Sequence, residues 1–237
     1  HLHHPNNMGH QVAVSLPMAA LSDLVSSLLN PTIAAFDGSE SQFVIEKYIS
    51  DWMCRKIGYT SKYGGFFVSG GSLGNLNALL AAREIKLDSM GWGNGVKDHL
   101  NMAVMVSDNA HYCVSRSLQI MGLGKDSIIS IPTTDNFHVT YDAMSACLEQ
   151  AKKAGKKVFA VIGSACNTGP GTFEDLDMIA DFCEANDLWF HVDGAHGGSL
   201  VLSERFKYLV KGIHRADSVV WDAHKMMMMP ALCTGVL

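Results

Sequence analysis

Apolar residues along this chain fall into two recurring patterns that take turns. Short continuous runs occupy 103–106, 158–163, 188–193 and 218–221. Runs of that length between turn residues suit strands buried on both faces. Between them, apolar positions recur at helical spacing. Phe43, Val44, Tyr48, Ile49, Trp52 and Met53 follow Ser39-Glu40-Ser41-Gln42, which has the S-x-x-Q form of a capping box, and Gly58 supplies a stop. The turn Ser69-Gly70-Gly71-Ser72-Leu73-Gly74-Asn75 opens a second helix through Leu76, Leu79, Leu80 and Arg83. Further helices are predicted over 141–154, stopped by Gly155, and over 175–185, with a helical segment before 218. The run 231–237 reads as a strand cut short, and the chain opens without Met, so a piece of a longer protein is expected.

Strands that alternate with helices imply crossover connections and an α/β fold with a mainly parallel, helix-covered sheet. In such sheets ligands collect beyond the carboxyl ends of the strands. His111, Thr168, Asp193 and the pair His224-Lys225 all fall just after predicted strands. The 237 residues, 48% hydrophobic and 17% charged, can bury one large core. A net charge of −5 without a basic block argues against nucleic-acid and anionic-membrane partners. No apolar run reaches the roughly 18 residues of a membrane span. The six cysteines are scattered without a C-x-x-C pair, as expected of reduced thiols in a cytoplasmic protein.

Lys225 follows a buried run in Asp222-Ala223-His224-Lys225-Met226. Apolar surroundings would lower its pKa and make the amine nucleophilic; a strand-end lysine reaching into water is the plainer alternative. Asp193 ends Phe190-His191-Val192-Asp193, where it can pair with a cationic ring nitrogen or simply cap the next segment. Gly70, Gly71, Ser72 and Asn75 can cradle a phosphate at a helix start, although ordinary helices also begin this way. His111 can stack on a planar ring or sit solvated in its loop, and Thr168 can donate a hydroxyl or serve a turn. Together these residues supply what pyridoxal phosphate chemistry requires: an amine, a carboxylate for the ring nitrogen, a phosphate cradle and a cover for the ring. A metal centre is not expected. His1, His3 and His4 lack a fixed second shell, the cysteines lack zinc spacing, and Met226 to Met229 reads as adaptable packing.

The order of these pieces resembles the group II pyridoxal-phosphate-dependent decarboxylases, which include glutamate, cysteine-sulfinate, aromatic-amino-acid and diaminobutyrate decarboxylases. The resemblance runs from about His3 to Leu237. It is carried most strongly by Leu188-Trp189-Phe190-His191-Val192-Asp193-Gly194-Ala195 and by 217–227, which contains His224-Lys225. Gly70-Gly71-Ser72, Leu79-Leu80-Ala81-Ala82-Arg83 and Ala110-His111-Tyr112 add support in the right order. The resemblance implies Lys225 as the lysine that holds the cofactor as an imine, Asp193 as the ring-nitrogen partner and His111 as the stacking histidine. It implies Gly71, Ser72 and Asn75 at the phosphate, Thr168, His224 and Asp222 at the cofactor, and Ala195 as a small residue against the ring. It further implies a fold-type I aminotransferase-like architecture with a seven-stranded sheet, helices on both faces, and a homodimer.

Residues 1–60 would then be an N-terminal helical segment, and 61–237 an incomplete cofactor-binding large domain. The implied activity is decarboxylation of an L-amino acid; Met226-Met227 is closer to the glutamate or cysteine-sulfinate type, with an acidic substrate, than to the aromatic one, and His3-His4-Pro5 resembles a substrate-side segment. An aminotransferase, a desulfurase, an aldehyde-releasing lyase or a non-catalytic cofactor-binding fragment remain as alternatives. Two departures stand out: Asp222-Ala223 replaces the Asn-Pro common in relatives, and Gly194 replaces a common alanine.

Overall fold

The computed structural model describes residues 4, 6, 10, 11, 13–32, 36–87 and 90–237. His1, His3 and Pro5, named above in connection with metal binding or a substrate-side segment, lie outside them. The buried runs become strands of one seven-stranded sheet: β1 (Phe66–Val68), β2 (Met102–Ser107), β3 (Ile128–Ile131), β4 (Lys157–Ser164), β5 (Trp189–Asp193), β6 (Ser218–Asp222) and β7 (Thr234–Val236). Their order is β1-β7-β6-β5-β4-β2-β3. Strands β2 to β6 are joined by parallel pairings, and β7 runs antiparallel between β6 and β1. The expected α/β class and mainly parallel sheet are therefore observed.

The helices are α1 (Pro17–Leu29), α2 (Glu40–Ile57), α3 (Gly71–Lys86), α4 (Met90–Asn94), α5 (Cys113–Ile120), α6 (Tyr141–Lys153) and α7 (Leu176–Asn186). They cover both sheet faces, and side-chain alternation along the strands separates two core layers. In β2, Met105 joins a layer containing Met53, Phe182, Phe190 and Trp221, while Val104 and Val106 join another containing Leu79, Leu118 and Phe159. Among the described residues no helix is long and apolar enough to cross a membrane.

Local chemistry explains several element ends. Asp175 and Thr140 accept from the backbone N–H of Met178 and Ala143, capping α7 and α6. Gly58 ends α2 in the left-handed region at φ 106°, which glycine reaches without steric cost. Ser39 does precede α2, but no capping box forms: its Oγ accepts from the Thr32 backbone N–H at 3.2 Å instead. The helical segment before β6 is a set of 3-10 turns, Gly197–Leu202, Lys207–Val210 and Ile213–Arg215, rather than an α-helix. Gly212 between two of them has φ 92°, and a Cβ there would come within 2.5 Å of the Asp177 backbone nitrogen. Of the methionine run, Met227 packs on the first core layer, whereas Met226, Met228 and Met229 are exposed.

Trp221 ties α2 to the sheet. Fully buried in β6, it stacks on Trp52 with ring centroids 6.2 Å apart, and its Nε1–H donates to Ser199 Oγ at 2.8 Å. Trp221→Ala is expected to cost about 3–5 kcal/mol, read as a lowered urea midpoint, with Trp221→Phe losing far less.

Candidate active site

The carboxyl ends of β2, β4, β5 and β6 meet the start of α3 around a cleft of about 290 Å³. Gly71, Ser72, Asn75, His111, Thr168, Asp193, Ala195, Asp222, His224 and Lys225 all line it. Residues that come from five separate stretches of the sequence are thus gathered in one place by the parallel topology. Cys113, Ser164, Cys166, Asn167 and His196 line it too, and no sequence pattern had singled them out.

Asp193 is the last residue of β5. Its Oδ1 accepts from the Ala195 backbone N–H at 3.2 Å and its Oδ2 from the Asn75 amide at 3.3 Å. Asn75, one turn into α3, is buried and also donates to the Gly71 carbonyl at 2.9 Å. Its amide therefore faces the carboxylate and the helix backbone. Behind it lies His191, with Nε2 2.7 Å from Asn75 Oδ1. His191 and Asp193 share a face because they sit two apart on a strand, a signal the sequence carried but the motif reading passed over. Burial pushes the His191 pKa down to about 4, so the ring is neutral at ordinary pH.

Lys225 follows β6, with Nζ 3.3 Å from Asp222 Oδ2. Only 25% of its side chain is exposed, so it is not the freely solvated lysine of the plainer reading. Asp222 is nearly fully buried and accepts from Thr234 Oγ1 at 2.7 Å. Burial raises the Asp222 pKa, and the nearby Lys225 charge opposes that rise. His224 Nε2 stands 3.6 Å from Asp222, while its Nδ1 lies within 3.2 Å of the Cys233 backbone N–H.

The α3 start closes another side. No side chain caps this helix, and Gly70 and Gly71 bring its backbone against the cleft. A Cβ on Gly71 would fall 3.0 Å from both Asp222 carboxylate oxygens and 3.3 Å from the Ala195 Cβ, so only glycine fits comfortably. The His111 ring, held by the Cys113 backbone N–H donating to its Nδ1 at 3.3 Å, has its pKa lowered by burial against the raising effect of Asp193. Asn167 Oδ1 and His196 Nδ1 are buried without a hydrogen-bond partner among the described residues. Such atoms at a cleft are available to a bound molecule.

The family model described as the pyridoxal-dependent decarboxylase conserved domain matches residues 1–237. A glutamate decarboxylase-like protein of Gibberella zeae is 36% identical over 98% of this chain and 45% of its own length. An aromatic-L-amino-acid decarboxylase of Bacillus atrophaeus is 32% identical over 97% of this chain and 46% of its own length. The crystal structure of the glutamate decarboxylase domain of a diaminobutyrate-pyruvate transaminase and L-2,4-diaminobutyrate decarboxylase from Vibrio parahaemolyticus superposes with TM-score 0.94 at 30% identity, covering 98% of this chain and 52% of that one. The chain spans about half the length of these relatives.

The buried neutral His191 has a measurable consequence. Between pH 6.5 and about 4 the unfolded chain takes up a proton at this ring and the folded chain does not, so stability falls as pH falls through that window. The loss reaches about 3 kcal/mol at its lower end. Asp222 and Glu174, raised by burial, act in the opposite sense. Comparing urea midpoints of wild type and His191→Gln at pH 4.5 and 7 isolates the histidine: going from pH 7 to 4.5, the variant should lose less stability than wild type, or gain some.

Proposed function

Because the chain belongs to the pyridoxal-dependent decarboxylase family, we propose that it forms the cofactor-holding part of an L-amino-acid decarboxylase. The observation that carries this reading is the meeting of a sheltered amine and a doubly held carboxylate in one cleft, beside an uncapped helix start. Pyridoxal phosphate, when bound, supplies a cationic ring that accepts the electron pair left behind as CO₂ departs.

The residues fit that group. Lys225 offers the amine that bonds the cofactor aldehyde, and its pairing with Asp222 holds Nζ inside the cleft. Asp193 offers a carboxylate, fixed by Ala195 and Asn75, against the ring nitrogen. Gly71 and Ser72 present the positive end of α3 to the phosphate. His111 supplies a flat neutral ring as a stacking surface, while Ala195 leaves room for the cofactor ring and Thr168 offers a hydroxyl. His224, tied at Nδ1 to Cys233, keeps Nε2 for the phosphate or for a proton. Asn75, which the resemblance puts at the phosphate, lines the cleft and also donates to Asp193 Oδ2.

An acidic substrate of the glutamate or cysteine-sulfinate type is supported by Met226-Met227 after His224-Lys225 and by the glutamate decarboxylase-like relative. A homodimer is supported by the exposed apolar side of α1, where Met18, Leu21, Leu28 and Leu29 lie open to solvent. A cytoplasmic location is supported by the six free cysteines.

Lys225→Ala should abolish both the visible absorption band of the bound cofactor and its borohydride trapping; retention of both would remove Lys225 from its role. Asp193→Asn should keep the band yet slow CO₂ release on the order of 10²–10³-fold, since a preorganised electrostatic partner is lost. Assaying the full-length protein for CO₂ release across an amino-acid panel decides the reaction: keto acid or aldehyde without CO₂ would replace decarboxylation by another chemistry of the fold.

A further inference from the structure

We propose that Trp189, Ser218, His191 and Asn75 form a one-way hydrogen-bond chain that presents Asp193 to the cleft as an ionised, fixed carboxylate, which makes all four positioning residues. What Asp193 meets there rests on the pyridoxal phosphate reading; the chain itself does not.

The direction follows from the chemistry of its two ends. An indole N–H can only donate, and Trp189 Nε1 donates to Ser218 Oγ at 2.9 Å. An ionised carboxylate can only accept, and Asp193 Oδ2 accepts from Asn75 Nδ2 at 3.3 Å. The same Nδ2 faces the Gly71 carbonyl at 2.9 Å, so a flipped Asn75 would set its oxygen against two acceptors. Asn75 Oδ1 must then point at His191 Nε2, 2.7 Å away, and that nitrogen must carry the proton. With Nε2 protonated on a neutral ring, Nδ1 is an acceptor. It receives the Ser218 hydroxyl at 2.9 Å, and that hydroxyl's lone pair takes the Trp189 N–H. Each link fixes the next, and no member has a second arrangement that satisfies all its neighbours.

One alternative exists at a single point. His191 Nδ1 also lies 3.2 Å from the Ser218 carbonyl oxygen, an acceptor for a proton on Nδ1. That tautomer would leave Nε2 and Asn75 Oδ1 as two lone pairs facing each other at 2.7 Å. A doubly protonated ring is opposed by complete burial, which holds the His191 pKa near 4. Trp189 and His191 lie on β5, Ser218 on β6 and Asn75 on α3, so the chain locks three elements around the carboxylate. Removing a donor from a charged acceptor changes the free energy of that charge far more than removing one between neutral groups.

The test has two independent readings. In the full chain without cofactor, ¹⁵N–¹H correlation of the histidine rings should show His191 as the neutral Nε2–H tautomer from pH 6 to 8. Ser218→Ala, which deletes one hydroxyl, should shift His191 toward the Nδ1–H form and weaken pyridoxal phosphate binding about tenfold by titration. Ser218→Thr should restore both. Asn75→Leu, of similar shape but without the amide, should weaken binding at least as much while thermal unfolding confirms a folded chain. An Nδ1–H or doubly protonated His191 in the wild type overturns the chain outright, and so does wild-type affinity in Ser218→Ala. A wild type that binds no pyridoxal phosphate overturns the functional reading instead, and the tautomer measurement still decides the chain.

Discussion

The Asp193 carboxylate accepts one hydrogen bond from the Ala195 backbone and one from the Asn75 amide, at the end of a strand buried in the sheet. A carboxylate at that half-buried position gives up part of its hydration, and donors from the protein replace it. Supplying them constrains a wide region. Asn75 must sit one turn into α3, α3 must start at the glycine turn, and His191 must lie two residues before Asp193 on the same face. The helix, the strand and the neighbouring Ser218 on β6 are consequently fixed with respect to each other by polar contacts as well as by packing.

A second charge pair lies across the cleft. Asp222 is deeply buried, and Lys225 Nζ and Thr234 Oγ1 compensate it at 3.3 and 2.7 Å. A neutral amide at this position would need less compensation. Here the carboxylate accounts for the close approach of Gly71, whose missing Cβ leaves room for both Asp222 oxygens. The glycine turn thus accommodates a charge inside the protein in addition to whatever binds at the helix start. Asp193 and Lys225 both act electrostatically on His111 and Asp222, so a change at either alters the proton affinity of those two groups.

The pattern of apolar residues by itself determined the fold class and most of the central elements. The continuous runs that became β2, β4, β5 and β6 have no other place than a sheet covered on both sides, and the helical spacing of α2, α3, α6 and α7 provides the covers. Strand alternation with helices then placed His111, Thr168, Asp193 and Lys225 at strand ends, where parallel sheets open their clefts. Short elements escaped notice. β1, with three residues, and β3, with four, are too brief for a period to show, and α5 is only eight residues long.

Tertiary structure decided what the pattern left open. Ser39 had the right neighbours for a capping box, yet Thr32 approaches its hydroxyl and takes its place as the bonding partner. Asn75 resembles a phosphate-loop residue, and the docking of α3 also brings its amide to a carboxylate 118 positions away. His191 carried no motif of its own, and its tautomer is set by neighbours on two strands and a helix. Local sequence encodes periodicity, propensity and charge, so it specifies which elements form and which groups can react. Which donor faces which acceptor depends on contacts between distant segments, and only the packed sheet and its helices fix those.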